Sequence, residues 1–556
     1  MHHLLDETPI KFESSQSVER AGLLVLLPFL QANGLFSFKS HYEELKRGYY
    51  YISFIIQLLA YMYLSRIKNP EQLKLISPGE LGKVMGIDRV PETRCLRNKL
   101  KEICNQNKSK DWNIDLENQW VNEDGNGFYY INGHVQVYSG YSASLGKKHI
   151  ARQRLCLPGV QEFWVNNEDG LPYFYVTGQV NEKLLEMLSI SIIPQLLNDI
   201  KHKISNEELA SDKDLPIFTI VFDREGYSPQ FFGKIWDDYR VAVLTYRKNV
   251  KDSWAESEFK DYEIEIAGNK EVMKLAEKQV RLNNVEMREI RKLSEGGHQT
   301  SIITTNRKLS KLDLAKKMFS RWTQENYFKY MRKEYDFDRL LQYVVKEIDS
   351  DFVVSNPEYN NLSYHLKKIR EKINRRKAKL YELISKNSQE SFENTSKEYK
   401  KQAKEQLEID YLLEQETDLI NKRSSLPSRI KVKDMPEHLK YNRLDIESKH
   451  FQNIIKMICY RSESNCSNIL SEYYNRADDE KRALVKAIIN SRGDIISDEE
   501  QGTLTVRIYT LPNERMNRAL EKLLEILNEG EHKYPDTNLR LIYTTAKSNI
   551  TKGKEF

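Results

Sequence analysis

Two acidic residues stand where carboxylates could hold metal ions. Asp223 directly follows a short apolar run at residues 217–222, and Glu325 lies in a segment that we predict to be one long helix over residues 311–343. Carboxylate oxygens are the donors that Mg²⁺ prefers. Two such ions, roughly 3.5–4 Å apart, can clamp the attacking and leaving oxygens of a phosphoryl transfer. The residue types therefore fit metal-dependent phosphoryl transfer, provided that the fold brings them together.

The apolar run before Asp223 predicts a strand that is buried on both faces, because it is short and lies between Pro216 and Gly226. Acidic residues at the end of such a strand lie at the carboxyl edge of a sheet, where open α/β folds bind their ligands. The simpler alternative is a loop that begins with charged residues. For Glu325 the simpler alternative is a solvent-facing helical acid that pairs with Arg321 one turn earlier.

The surrounding segments predict a mixed sheet that could position these residues. Residues 127–138 are rich in aromatic and β-branched side chains, which favours a strand. Further strands are predicted at residues 154–157, 161–165, 172–177, 217–222 and 241–246, with helices at 181–204 and 229–239. This order predicts a meander followed by helix, strand, helix and strand. It places the strand at 127–138 beside the one at 217–222.

Length and composition limit the class of protein. A chain of 556 residues has room for three or four domains. The net charge is only +5, so a nucleic-acid site has to come from local clusters of basic residues. The five cysteines are odd in number and widely spaced, which indicates reduced thiols in a cytoplasmic protein. The apolar stretch at residues 49–63 is shorter than a membrane span, and we predict a buried helix there and no membrane contact.

Three basic segments are candidates for contact with DNA. Helices predicted at 78–85 and 91–103, separated by a glycine-containing turn, resemble a helix-turn-helix whose second helix carries Arg94 and Arg97. Lys147 and Lys148 follow the first strand in what we predict to be a loop. The third segment, residues 367–379, contains eight basic residues and one acid, and Lys368, Arg375 and Arg376 are among them. For each segment the alternative is a solvated charged face.

The third segment lies within a helix whose apolar residues keep a heptad spacing, which is typical of a coiled coil. The seam consists of Leu366, Ile369, Ile373, Leu380 and Leu383. We therefore divide the chain into a helical, DNA-binding segment at 1–110, a catalytic domain at 120–249 and 307–350, a β-rich insertion at 250–306, a basic coiled-coil-like region at 357–450, and a C-terminal α/β unit at 451–556.

Three motifs together resemble DDE transposases of the insertion-sequence type, which have a ribonuclease-H-like catalytic domain and a β-rich insertion before the last acid. They are YINGHV at 130–135, VFDREGYS at 221–228 and RWTQEN at 321–326. The spacing of Arg321, Glu325 and Arg332 is similar to the Tyr-x2-Arg-x3-Glu-x6-Lys signature of these enzymes. Met318 stands in place of the tyrosine and Arg332 in place of the lysine. The resemblance extends over residues 18–545.

The resemblance implies an α/β fold with a mixed sheet flanked by helices, and a site that holds two Mg²⁺ or Mn²⁺ ions. The metal ligands would be Asp223, Glu325 and the residue at 132, while Arg321 and Arg332 would contact phosphate. It also implies double-stranded DNA as partner, both transposon ends and target. The protein would act as a homodimer on paired ends, in the cytoplasm of a bacterial-type cell and associated with the nucleoid.

One position departs from the family pattern. The first-strand aspartate of these enzymes is replaced by Asn132, which offers one neutral carbonyl oxygen in place of an anion. Losing one of about three negative charges weakens a site for two dications. Glu123, Asp124 or Glu225 could substitute for it. The sequence thus leaves two hypotheses, an active transposase and a transposase-derived DNA-binding protein that no longer cuts.

Overall fold

The computed structural model describes most of the chain. The residues outside the description are 1–9, 46–48, 139–144, 146, 151–153, 181, 267–268, 320, 339–344, 347–352, 388–394, 435–442, 445, 475, 477 and 547–556. Parts of the predicted segments at 307–350 and 357–450 fall on these residues.

The described helices are α1 Leu23–Ala32, α2 Ile52–Leu64, α3 Pro78–Met85, α4 Thr93–Cys104, α5 Ser109–Asp124, α6 Leu184–Met187, α7 Ile193–Asn198, α8 Asn206–Ser211, α9 Pro229–Tyr239, α10 Lys311–Phe319, α11 Trp322–Tyr335, α12 Pro357–Asn387, α13 Thr395–Ser424, α14 Glu447–Tyr473, α15 Asp478–Ile489 and α16 Glu514–Glu529.

The described strands are β1 Ser15–Val18, β2 Phe128–Val137, β3 Lys147–Ile150, β4 Leu155–Asn166, β5 Pro172–Gln179, β6 Phe218–Phe222, β7 Val241–Tyr246, β8 Lys260–Ile266, β9 Asn269–Leu282, β10 Val285–Leu293, β11 Gln299–Thr304, β12 Val345–Lys346, β13 Val353–Ser355, β14 Arg429–Lys431, β15 Arg443–Leu444, β16 Gly493–Asp498, β17 Thr503–Ile508 and β18 Arg540–Thr545.

The fold is mixed α/β, built on a large mixed sheet. Its strand order is β3-β4-β2-β6-β7-β11-β10-β9-β8, and β5 pairs with β4. Strands β2, β6 and β7 are parallel, whereas β2, β4 and β5 form an antiparallel meander, as predicted. Every residue of β6 is buried, which explains its continuous apolar sequence.

The strands predicted within residues 250–306 continue this sheet. Strand β11 pairs antiparallel with β7, and β10, β9 and β8 follow outward in turn. The insertion therefore lengthens the central sheet on the side away from the meander. Its hydrogen bonds protect the edge of β7 that would otherwise be exposed.

The helix predicted over residues 311–343 is divided in the structure. Helix α10 ends at Phe319, Arg321 is the N-cap of α11, and α11 ends at Tyr335. Asp336 then adopts a left-handed backbone conformation, with φ 49°, which stops the helix. Periodicity alone missed both ends because the apolar spacing continues across them.

Two further predictions on this sheet need correction. The predicted loop that carries Lys147 and Lys148 contains strand β3, which pairs antiparallel with residues 155–158 of β4. The helix predicted at 181–204 ends at Asn198, and its middle at Leu188–Ile192 is π-helical. Pro194 lies two residues after Ile192. A proline has no backbone N–H, so it cannot donate the hydrogen bond that a regular α-helix has at that residue.

The first and last parts of the chain share one hydrophobic core. Helix α14 is buried along most of its length and packs against α1, α2, α4 and α5. Strand β1 pairs with β16, in a sheet of order β1-β16-β17-β18. The division into five segments stays a prediction, but its first and last segments pack together in the structure.

The basic heptad segment forms a helical hairpin with α13. Leu366 and Ile373 of α12 are buried, as are Ile409 and Leu412 of α13. Ion pairs flank this apolar seam, for example Arg370 Nε to Glu416 Oε1 at 2.6 Å. The structure thus contains a long helix, α12, packed against α13, while the coiled-coil-like region at 357–450 stays a prediction.

Among the described helices, not one combines the length and the apolar character that are needed to cross a membrane. All five cysteines are free thiols, and Cys459 and Cys466 are buried.

Candidate active site at the carboxyl edge of the sheet

Asn132 on β2 stands level with Asp223, which directly follows the end of the adjacent parallel strand β6. The register of β2 and β6 pairs Tyr130 with Val221, and Asn132 and Asp223 each follow two residues later. Because side chains alternate along a strand, both point to the same face as Tyr130 and Val221. That face is covered by α10, since Tyr130, Val221 and Met318 lie in one buried cluster.

Asp223 has one carboxylate oxygen engaged and one open. Its Oδ1 accepts a hydrogen bond from the backbone N–H of Glu225 at 2.7 Å, which caps the short 3₁₀ turn after β6. Its Oδ2 lies 4.0 Å from Nη2 of Arg321, and the side chain is 49% exposed. The open oxygen therefore faces the start of α11.

Two contacts, one on α10 and one on α11, place this helical segment along β2. The hydroxyl of Tyr130 donates to the carbonyl of Lys317 at 3.0 Å. Four residues further along β2, the His134 ring stacks on Phe328, with centroids 5.4 Å apart and an interplanar angle of 15°. Asn132 lies midway between these two strand positions. The part of the helical segment that passes it therefore lies between residues 317 and 328, and this part includes Glu325.

Tyr246 shows that the charged groups converge. It follows Thr245, which pairs with Phe222, so that Tyr246 stands level with Asp223 on the next strand. Burial raises the pKa of Tyr246; the carboxylates of Glu325 and Asp223 raise this pKa further, and the guanidinium groups of Arg321 and Arg224 lower it. Both acids therefore lie within electrostatic range of one phenol.

Glu325 is exposed on α11, as the simpler interpretation expects, but no described ion pair joins it to Arg321. Arg321 turns toward Asp223, and Glu325 has no hydrogen bond or ion pair within the part of the chain that the structure describes. The side chain of Asn132, which is partly buried, is likewise without a described hydrogen-bond partner. Asn132 and Asp223, each with unused acceptor capacity, thus lie at one edge of the sheet, and Glu325 lies within electrostatic range of the same edge.

This donor set fits a hard divalent cation. The donors are oxygens only, two of them are carboxylates, and the site is open enough for water and phosphate to complete the coordination. The described residues contain no cluster of three or more His, Cys, Asp or Glu side chains in metal-binding geometry.

The family comparison is decisive for the class of protein. A family model with the description "Transposase protein" matches residues 3–547. The chain belongs to this transposase family. No curated protein matches it. Among solved structures, a cryo-EM structure of a piggyBac transposase synaptic complex with hairpin DNA is similar over 58% of this chain and 71% of that chain, at 9% identity and a TM-score of 0.29. A likeness at this level supports no statement about the present chain.

The alternative carboxylates that the sequence offered lie elsewhere in the transposase. Glu123 and Asp124 end helix α5, before β2 begins, and are thus at the opposite end of the strand from Asp223. Asp124 is also engaged, since it pairs with Arg461 and accepts a hydrogen bond from Tyr173 at 2.7 Å. Glu225 does not continue the strand, because it lies in the 3₁₀ turn after Phe222.

The basic residues lie on separate surfaces. Lys148 is near the acidic edge, where burial lowers the pKa of its ammonium and the carboxylate of Glu225 raises it. Lys147, beside it on β3, is exposed. On α11, Arg332 donates to the carbonyl of Phe328 at 3.2 Å, and by helical spacing it lies on the same side of the helix as Glu325.

The predicted DNA-contact residues on α4 and α12 differ in whether their side chains are free to bind phosphate. On α4, Arg94 is exposed, whereas Arg97 is exposed but pairs with Glu71. On α12, Arg375 is exposed, and Lys368 is exposed with its ammonium 4.5 Å from the centre of the Tyr364 ring. Arg376 is engaged within the hairpin by Glu405 at 2.7 Å and Glu408 at 3.0 Å.

A buried ionic network that the sequence did not reveal holds α11 in place. Arg66, just after α2, donates to Glu334 of α11 at 2.9 Å and to Glu463 of α14 at 2.7 Å. The hydroxyl of Tyr330 on α11 donates to the second oxygen of Glu463 at 2.8 Å. The helix that carries Glu325 is thus fixed by both the first and the last part of the chain. Its members are far apart in sequence, so no local pattern could have identified them.

A second buried cluster fixes the strand that carries Asn132. His134 Nε2 lies 2.5 Å from Asp338 Oδ1, and Glu162 stands opposite His134 across the β2–β4 pair. Lys449 of α14 lies 3.9 Å from Glu162 and donates to the carbonyl of Phe337 at 2.9 Å. Burial raises the pKa of the Glu162 carboxyl and lowers that of the Lys449 ammonium. His134 is therefore a positioning residue on β2.

Proposed function

We propose that this transposase is a DNA strand transferase of the DDE type with a ribonuclease-H-like catalytic domain. The parallel strands β2, β6 and β7, the antiparallel meander beside them, and the acidic helix after the β-rich insertion support this assignment. The observation that carries the proposal is the register that sets Asn132 level with Asp223, with α11 passing over that position.

In this proposal Asp223 and Glu325 hold Mg²⁺ or Mn²⁺ at the sheet edge, two ions when catalysis occurs, and Asn132 contributes a carbonyl oxygen. When bound, these ions would supply charge stabilisation for the phosphoryl group in transfer. The open oxygen of Asp223 and the free carboxylate of Glu325 support the assignment. Asn132 reduces the negative charge of the donor set, so we expect a lower metal affinity than three carboxylates would give.

Arg321 has a position suited to a phosphate. Its guanidinium is only 14% exposed and lies at the open oxygen of Asp223. A DNA phosphate that enters the site can accept its paired N–H donors. Arg332 lies about three helical turns beyond Arg321. It would contact the same DNA strand. The reaction would then proceed as hydrolysis at a transposon end, which breaks a phosphodiester P–O bond and leaves a 3′-hydroxyl. That hydroxyl would attack a target phosphodiester and displace a second 3′-oxygen.

The remaining basic residues would contact the DNA backbone away from the cut. We assign this role to Lys147 and Lys148 beside the site, Arg94 and Arg97 on α4, and Lys368, Arg375 and Arg376 on α12. Arg376 fits least well because two acids of α13 engage it. The protein would work as a homodimer on paired transposon ends and associate with the nucleoid.

The second candidate function is DNA binding without cleavage, and Asn132 is the observation that favours it. Strand cleavage separates the two. Purified wild-type protein, Asn132→Asp and Asp223→Ala are incubated with end DNA and either Mg²⁺ or Mn²⁺. Cleavage by wild type that Asp223→Ala abolishes supports the active enzyme. Cleavage by Asn132→Asp alone supports the silenced form, and cleavage by no variant contradicts the proposed chemistry.

A further inference from the structure

Helix α13 has a second apolar stripe on the side facing away from α12. Its buried seam includes Ile409 and Leu412, whereas Ala403, Leu407 and Tyr411 recur every four residues on the opposite side. Leu407 is 69% exposed and Tyr411 is 60% exposed. Single exposed apolar residues are ordinary, but a stripe along one helix face indicates a contact surface.

The charges along this stripe are ordered. Lys400 and Lys404 lie at its N-terminal end, and Asp410 and Glu414 lie at its C-terminal end; all four are exposed. Asp410 accepts one hydrogen bond, from Gln406 at 2.8 Å. Within the described chain the other three charges have no ion-pair partner. We call residues 400–414 on this side the outer face of α13.

The outer face of α13 is complementary to itself. If a second α13 lies antiparallel to the first, with the two-fold axis at Leu407, then Leu407 meets Leu407 of the second copy and Lys400 meets Glu414. The basic end of each outer face then lies beside the acidic end of the other. A two-fold interface requires this kind of self-matching surface, and opposite charges at flanking positions fix helix orientation.

We infer that the outer face of α13 binds the same face of a second copy of this chain. DNA fits this surface less well, because Asp410 and Glu414 would repel phosphate. The outer side of α12 carries the basic residues Lys367, Lys372 and Arg375, which have no ion-pair partner among the described residues. The hairpin thus presents one side to DNA and the other to a second protein.

The expected contact is short. Fifteen residues of α-helix span about 22 Å, so that the buried area falls below that of a standard, stable interface. We therefore expect an association that depends on concentration in the micromolar range. The inference deepens the proposed pairing of two copies on DNA, and its tests measure mass and cross-linking, not cleavage. A failure here leaves the proposed chemistry untouched, and the reverse also holds.

Charge reversal tests the register. The full-length variant Lys400→Glu/Lys404→Glu carries only acids on the outer face, and Asp410→Lys/Glu414→Lys carries only bases. We expect each variant alone to self-associate roughly tenfold or more weakly than wild type in sedimentation-velocity runs from 1 to 100 μM. An equimolar mixture of the two should regain wild-type association as a heterodimer. Circular dichroism of each variant checks that the helices are retained.

Cysteine cross-linking tests the position of the axis. In a background with Cys156→Ser, Leu407→Cys places two thiols next to each other across the axis, so mild oxidation should give a covalent dimer. The matched variant Ala403→Cys lies four residues from the axis, so its two copies are far apart, and it should stay monomeric on a denaturing gel. A mixture of Lys400→Cys with Glu414→Cys should cross-link again.

Results of two kinds would overturn the inference. The first kind concerns self-association: the mass of the wild-type protein does not change with concentration, or the charge variants associate as strongly as wild type. The other is a loss of DNA binding in Lys400→Glu/Lys404→Glu without any change of mass, which would show that the outer face of α13 contacts DNA.

Discussion

Replacing Asn132 with aspartate restores a third carboxylate beside Asp223, and its effect can be worked out from the register. Neighbouring strands lie about 4.8 Å apart, and at an effective dielectric constant of about 20 two unit charges at this separation interact by roughly 3.5 kcal/mol. The Asp223 side chain is 49% exposed. Solvent screening therefore reduces the repulsion to about 1 kcal/mol.

Without metal, we expect Asn132→Asp to lower the free energy of unfolding by about that amount, 1 kcal/mol. With metal the same charge is attractive, and we expect the dissociation constant for Mg²⁺ to fall by a factor of about ten or more, which corresponds to roughly 1.4 kcal/mol. Urea unfolding measures the first quantity and isothermal titration calorimetry the second. The mutant should thus be less stable than wild type without Mg²⁺ and should be stabilised more strongly by it.

Asn122→Asp is the matched control, because Asn122 is exposed on α5, before β2 begins. It adds the same charge far from the carboxyl edge and should leave the affinity for Mg²⁺ unchanged. An Mg²⁺ affinity of Asn132→Asp equal to that of wild type would refute the reasoning, since it would mean that residue 132 does not contribute to the site.

Four further outcomes follow from the buried and basic groups. Arg66→Met leaves Glu463 buried and without its guanidinium, so urea unfolding should show a loss of about 3–5 kcal/mol. Burial lowers the pKa of Lys456 from 10.5 to about 7. Between these two pH values the unfolded chain binds a proton at Lys456 that the folded chain does not, so the free energy of unfolding should rise from pH 7 to pH 10. Lys456→Met should remove this rise. Arg375→Ala should lower the salt dependence of DNA binding by about one phosphate contact. Arg376→Ala should instead weaken the α12–α13 hairpin, as seen by thermal melting with little change of salt dependence.

Local sequence predicted much of the central sheet. Strands β2, β6 and β7 and helix α9 were found within a residue or so of their observed bounds, because continuous apolar runs end at Pro, Gly or charged residues. These strands also predicted that Asn132 and Asp223 lie close together, since parallel strands with helical connections lie side by side.

What the sequence missed depends on distant contacts. Strand β3 is exposed on alternate residues and basic, so it resembled a loop until its pairing with β4 was known. Strand β1 has one buried residue, Val18, and exists because β16 pairs with it from the other end of the chain. The break before α11 falls inside a continuous helical pattern, and there Arg321 turns toward Asp223 and away from Glu325.

Iron-directed cleavage of the polypeptide tests the central claim most directly. Fe²⁺ bound in place of Mg²⁺, with ascorbate and peroxide, generates radicals that cut the backbone near the metal, and mass spectrometry locates the cuts. For Asn132→Asp we expect cuts near residues 132, 223 and 325 in the same preparation, all suppressed by excess Mg²⁺. Cuts at only one of these places, or cuts that Mg²⁺ does not suppress, would contradict a common metal site.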